Sequence, residues 1–363
     1  MPSFRTGAVR SVLHERPGLQ RVEVDLGDGN AERAYVLTQL TGDVAPNDRV
    51  VVNTTAVDLG LGTGGWHVVH WNLEREEWSE PGPGHIIKAR YTSLQTDVGS
   101  TEEHTEHLAE IESIDGMPVV AAALHSQLPA VAVAVRERRP EARIAYVMTD
   151  GAALPLALSD LVAGLTERGL LDATITCGHA FGGDYEAVSV FSALAVARHV
   201  TDADVTIVAM GPGIVGTATR LGFTGLEVGQ VLDATTALGG TAVACLRASF
   251  ADPRPRHVSV SHHTLTTLRL AARDRALVAV PAIGGSEELR LRETLDSSGI
   301  GERHDLVDVE PPDVLRLFSD HGLEITSMGR SAAEDPVLFQ AAAAAGRLAA
   351  DRIPADGYGP PES

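Results

Sequence analysis

The chain has 363 residues, 44% of them hydrophobic, enough for a full core and, at usual domain sizes, for about two domains. Its 29 Lys and Arg stand against 49 Asp and Glu, a formal net charge of −20. A field of that sign repels phosphate backbones and anionic lipid, which argues against nucleic-acid or membrane-surface partners and leaves a small-molecule ligand as the expected one.

From Thr6 to about Trp78 the chain reads as short β runs: Arg21 to Leu26, Arg33 to Leu40, Arg49 to Thr54 and Trp66 to Leu73. Turn signals such as Gly27-Asp28-Gly29-Asn30 separate them, so a small β-barrel-like domain is expected over 1–83. The run Gly60 to Gly65 has the look of a phosphate loop, but it leads into a strand and lacks the Lys-Ser/Thr pair; a tight bend is the better reading. Pro81-Gly82-Pro83-Gly84 can continue neither a helix nor a central strand and marks the domain boundary. Ser100 to Glu103 has capping-box spacing and predicts a polar helix to about Glu112, on which His104 and His107 share an acidic, solvated face.

From Met117 onward, apolar runs alternate with helix-like stretches: Val119 to Leu124, Arg143 to Met148, Ala173 to Thr176, Val205 to Met210, Thr241 to Leu246 and Ala276 to Val280. This alternation predicts an α/β domain over 84–353, a mainly parallel sheet with helices on both faces. Two more strands are expected at Asp305 to Val309 and Leu323 to Ser327, with a helix at Pro312 to His321 between them. The apolar helix around Phe339 to Leu348 should cover the sheet rather than form a subunit interface, and 354–363 should be a loose tail. Two cysteines, Cys177 and Cys245, are too few for a disulfide framework, the first residues lack a signal-peptide core, and no long apolar run suggests a membrane span. A cytoplasmic protein is expected; the oligomeric state is not legible.

In open α/β sheets ligands bind beyond the carboxyl ends of the strands, and here those positions are polar. They include His125-Ser126-Gln127, Thr149-Asp150-Gly151, Cys177-Gly178-His179, Gly211-Pro212-Gly213, the stretch Ser249 to His263, and Gly284-Gly285-Ser286. Gly211, Gly213 and Gly216 have dinucleotide-fingerprint spacing directly after a strand and are the candidates for cradling a phosphate. Against a dinucleotide, Gly222, Gly225 and Gly229 weaken the helix that should follow, and no acidic residue ends the next strand. No cofactor is assigned. His179, Asp184, His262 and Asp150 are the candidate acid/base groups of an enzyme acting on a small anionic or phosphate-bearing molecule.

A metal-dependent hydrolase using Cys177, His179 and the Ser261 to Thr264 cluster is the alternative, and a non-catalytic ligand-binding or assembly protein the third. No residue is assigned as a metal ligand, because the spacing matches no zinc signature and adjacent His262 and His263 should point apart. Nucleophile signatures are absent around Cys177, Ser126 and Ser261.

The segments Gly84 to Tyr91, His125 to Pro129, Gly178 to Glu186, Gly211 to Thr219 and Ser249 to Thr264 together resemble an uncharacterised bacterial family known only as a domain of unknown function. The resemblance runs over nearly the whole chain. It implies a bacterial cytoplasmic protein and brings no activity, cofactor or catalytic residue. One departure is Thr217-Ala218-Thr219, where the family has glycine between the threonines.

Overall fold

The computed structural model describes residues 2–62, 64–355 and 358, so most of the expected tail lies outside the described residues. The chain forms two compact units, Met1–Gly99 and Ser100–Ser363. The division follows Gly99, after the Pro-Gly interruption rather than at it.

The first unit is a closed five-stranded barrel of β1 (Phe4–Arg16), β2 (Leu19–Asp25), β3 (Ala31–Val36), β4 (Arg49–Asn53) and β5 (Trp66–Asn72), in the order β1-β2-β3-β5-β4. Only β3 and β5 pair in parallel, the connectivity of an OB-type barrel. Closure depends on β1, which the sequence pattern did not resolve: its first half pairs with β4 and its second half with β2. Register shifts at Val9/Ser11 and Val12/His14 bend it, as bulges do at barrel corners. Val9, Val22, Val24, Val36, Val50 and Val52 alternate inward to fill the interior. The strand expected to run to Leu40 stops at Val36, where the chain turns into a short helix, Thr38–Thr41. Gly60, Gly64 and Gly65 all have positive φ, as a bend before β5 requires.

The second unit is built on β6 (Pro118–Ala122), β7 (Ile144–Thr149), β8 (Ala173–Thr176), β9 (Tyr185–Glu186), β10 (Val205–Met210), β11 (Thr241–Ala244), β12 (Leu277–Pro281) and β13 (Asp305–Val309). They form one all-parallel sheet in the order β9-β8-β7-β10-β6-β11-β12-β13. Helices α1 (Leu128–Arg138), α2 (Asp160–Glu167), α3 (Val190–His199), α4 (Glu227–Ala237), α5 (His262–Thr266), α6 (Gly285–Ser298), α7 (Val314–Asp320) and α8 (Pro336–Ala350) follow between and after the strands. Helices α1, α2, α7 and α8 share a core with one face of the sheet, and α3, α4 and α6 with the other. From β6 the chain steps through β7 to β8 over the first face, then reverses over the second and inserts β10 between β7 and β6. Exits from β6 and β7 therefore leave on one face and the exit from β10 on the other, the arrangement that opens a crevice at the carboxyl edge.

The two outer layers follow from composition. Leu128 to Val135 of α1 are all buried, because α1 is covered by α8, whose residues 341–345 are alanines, followed by Gly346. A Cβ on Gly346 would fall 2.4 Å from the Val131 carbonyl oxygen, so only glycine lets these helices meet. The apolar C-terminal helix thus covers the sheet within the chain, as expected.

Two expectations need correction. Residues 100–112 form two 3-10 turns, Thr101–Glu103 and Glu106–Glu110, rather than one helix. The capping contact at Ser100 exists, but too few apolar residues follow to hold an α-helical face against the sheet. The His107 ring there meets the His199 carbonyl oxygen at 3.1 Å. Of the strand expected at Leu323 to Ser327 only Thr326–Ser327 is extended, paired with Arg330–Ser331 outside the main sheet. No helix of the described residues is long and apolar enough to cross a membrane.

Candidate functional site

Two polar groups form at the carboxyl edge. The first lies beyond β7 and β8. Gly178, at φ 66, brings its backbone so near Asp150 that a Cβ would lie 2.5 Å from the carboxylate, and the His179 amide donates to Asp150 Oδ2 at 2.9 Å. Glu227, at the start of α4, accepts from the Thr149 hydroxyl and faces Gly151, where a Cβ would lie 2.5 Å from Glu227 Oε2. Burial, with the Asp150 charge adding to it and the Thr149 hydroxyl opposing it, pushes Glu227 up to about 7.

A carboxyl at about 7 in the fold and 4.5 in its ordinary state holds its proton better when folded, so its stabilising share is full below about pH 4.5 and is lost as pH rises through 7. Glu227→Gln is therefore expected to match the wild type in urea unfolding at pH 4.5 and to exceed it at pH 8.5 by up to about 3 kcal/mol. A gap that does not widen with pH would remove Glu227 from the buried, proton-holding role.

The second group lies beyond β11 and is built from one stretch, 247–263. Residues Ala248–Ser249 pair antiparallel with Ser259–Val260, folding the stretch back on itself. Ser261 caps α5, accepting from the His263 amide at 3.2 Å, and its hydroxyl meets His257 Nδ1 at 2.7 Å. One nitrogen each of His257, His262 and His263 comes within 4.8 Å of the others. Their ring centroids are 4.4 to 5.1 Å apart. His262 and His263 do not point apart: side chains one residue apart on a helix diverge by about 100°, not 180°, and the 257 turn closes over both. Phe223 stacks on His263 at 3.8 Å and fixes its ring.

Arginines surround this cluster. Arg247 donates to His263 Nδ1 at 3.2 Å and lies 3.7 Å from Asp252. Arg254 grips Asp252 through two nitrogens at 2.9 and 2.7 Å, and Arg330 lies 3.6 Å from Asp252 and 3.0 Å from Asp335. Burial opposes ionisation of Asp252, but the Arg254 hydrogen bonds outweigh it and hold the carboxyl well below the usual carboxylate range. Burial, then the charge of Arg247, pushes both His257 and His263 down to about 3; burial and Arg256 lower His262. All three imidazoles are thus neutral near pH 7. The buried His262 Nε2 has no hydrogen-bond partner among the described residues.

The glycine segment links the two groups instead of cradling a helix terminus. Gly211 packs where a Cβ would lie 2.5 Å from the Ala153 carbonyl oxygen. Gly213 turns at φ 99, and Gly216 bridges to Phe223 beside the His263 ring. Residues 215–224 fold as a small hairpin, closed by Thr217 N to Gly222 O at 2.7 Å and Thr224 N to Val215 O at 3.0 Å. Helix α4 starts only at Glu227, so the three glycines do not form the strand-to-helix turn of a dinucleotide fingerprint. Ala218 sits at φ 63, the left-handed conformation that glycine adopts without strain.

Asp184 is not brought to either group. Its carboxylate accepts from the Thr174 amide at 2.9 Å and hydroxyl at 2.8 Å, tying β9 to β8 away from the carboxyl end of that strand. Cys177 is buried in the core of the α3 and α4 face. His125 is hydrogen-bonded to Tyr146 Oη and the Met210 carbonyl through Nδ1 and to Ser159 through Nε2. The strand ends leading to His179 and Arg247 are four strands apart, about 19 Å. The residues that sequence reasoning left out are Arg247, Asp252 and His257, named at most as loop members, and Glu227. Arg247 was visible as a charge directly after the apolar run Thr241 to Leu246; its role depends on Asp252 closing on it.

The fold and its edge thus define an α/β protein carrying a histidine–arginine cluster beyond a central strand. The chain belongs to the family described as Protein of unknown function (DUF3866), whose model matches residues 33–346. No curated protein and no solved structure matches it.

Proposed function

We propose that this chain, in a bacterial cytoplasm, binds a small molecule bearing an oxyanion, phosphate or carboxylate, beyond the carboxyl end of β11. The supporting observation is local charge: Arg247, Arg254 and Arg330 gather around two carboxylates, Asp252 and Asp335, with the charge of Arg256 also felt at Arg247, on a chain of net charge −20. Arg247 stays charged although burial lowers it to about 10, and Arg256 is exposed. Such an excess of guanidinium is costly unless an anion shares it. The glycine segment, with Gly211, Gly213 and Gly216, walls this space and reaches Ala153 at its other end. Glu227, with Asp150 beside it, belongs to the other polar group, beyond β7; a carboxyl near 7 exchanges protons at working pH, so in this reading it serves only a ligand that extends from the arginines along the glycine segment.

The test is calorimetric titration of chelator-treated protein with inorganic phosphate and pyrophosphate. Binding is expected, weakened about tenfold or more in Arg254→Ala and in Arg256→Ala and unchanged in Asp184→Asn. Absence of binding by either anion, or equal affinity in both arginine variants, would discard the reading.

A further inference from the structure

We infer that His257, His262 and His263 form a three-imidazole site for a divalent transition metal, with zinc the best match to all-nitrogen ligands in this number. The inference goes beyond the oxyanion reading and does not require it. Three observations carry it. One nitrogen from each ring already lies within 4.8 Å of the others, a spread that small ring rotations would close to coordination distance. His262 Nε2 is buried without a partner among the described residues, a cost that a metal would remove. The remaining atoms are set as ligand supports: Ser261 Oγ holds His257 at Nδ1, leaving Nε2 for a metal, while Phe223 stacking fixes the His263 plane.

Arg247 contacts the same cluster. Its guanidinium donates to His263 Nδ1, occupying a lone pair with a positive group. Ligation through either ring nitrogen would end that hydrogen bond: at Nδ1 the ion takes the lone pair itself, and at Nε2 the ring proton moves to Nδ1, which can then no longer accept. Asp252, 3.7 Å from the other terminal nitrogen, is ready to take the guanidinium. Three neutral ligands would leave the ion its full double charge and a fourth position open to a water or an oxyanion. The sequence hides the site because its spacing, four residues and then none between the histidines, matches no zinc signature.

The experiment uses the full chain, made without an affinity metal and stripped with chelator, in phosphate-free buffer. Zn²⁺ is titrated calorimetrically, and Co²⁺ is followed by its visible d–d absorption, which is intense only for tetrahedral coordination. One ion per chain with the tetrahedral spectrum is expected, and His257→Ala and His262→Ala should each weaken it about 100-fold. His104→Ala, on a separate turn, should leave it unchanged. Because His262 makes no hydrogen bond through Nε2, its variant should keep the wild-type circular dichroism; the wild-type stoichiometry and spectrum in any case need no variant. No bound ion in the intact protein, an octahedral spectrum, or undiminished binding in the folded His262→Ala variant would overturn the site. Phosphate binding by the same stripped protein reports on the oxyanion reading separately.

Discussion

Asp252→Asn is expected to cost the fold about 3–5 kcal/mol at pH 7. The substitution keeps the shape but turns one of the two accepting oxygens into a donor, so the loss measures the charge together with one acceptor. Asp252 is 1% exposed and faces Arg247, itself 3% exposed, together with Arg254 and Arg330. Asparagine would leave Arg247 charged and buried beside two other guanidiniums, and Asp335 already serves Arg330 and the Ser249 hydroxyl. Urea unfolding reads the effect, and Arg247→Met in the same background should recover part of it by removing the stranded cation. A loss under about 1 kcal/mol would mean that water reaches this cluster and shares its charge. Since Asp252 is held below its ordinary 3.8, its stabilising share is present above that pH and falls away in more acid solution.

Gly346→Ala is the second large effect, and its sign runs against local propensity. Alanine favours a helix interior over glycine by about 1 kcal/mol. At this position, however, its methyl would lie 2.4 Å from the Val131 carbonyl oxygen and 3.0 Å from Val131 Cα, both backbone atoms of α1 that no rotamer change can move. Pushing α8 outward would loosen the seam with α1 and the cover over β12, so a net loss of about 2 kcal/mol or more is expected in thermal or urea unfolding. An Ala variant as stable as the wild type would show that the helices do not pack at this separation.

Much of the architecture is legible in local pattern because burial on both faces leaves apolar runs bounded by turns. Ala173–Thr176, Val205–Met210 and Asp305–Val309 end where the sequence places them. What local pattern does not carry is partnership. Strand order follows from which helices cross which face, and β9, two residues long, exists only because Asp184 and Glu186 bind Thr174 and Thr176. The same limit governs the site. Asp184, a chemical candidate by residue type, is consumed by that edge clasp, whereas Glu227 gains its proton affinity only by burial against Thr149 and Asp150. The histidines stood in plain view at 257, 262 and 263, but their convergence needs the antiparallel pairing of 248–249 with 259–260. The fingerprint spacing at Gly211 misleads for the opposite reason: glycines required by close packing and turning mimic those required by a phosphate.

The packing of α8 has a consequence for how the protein is made. The first central strand, β6, and the helix after it, α1, leave the ribosome more than 180 residues before α8, the element that seals them. Throughout that interval the run Leu128 to Val135 has no cover on its outer side. Synthesis at about 5–20 residues per second leaves this surface open for many seconds, so the nascent chain is a natural client for a chaperone that grips short apolar helices.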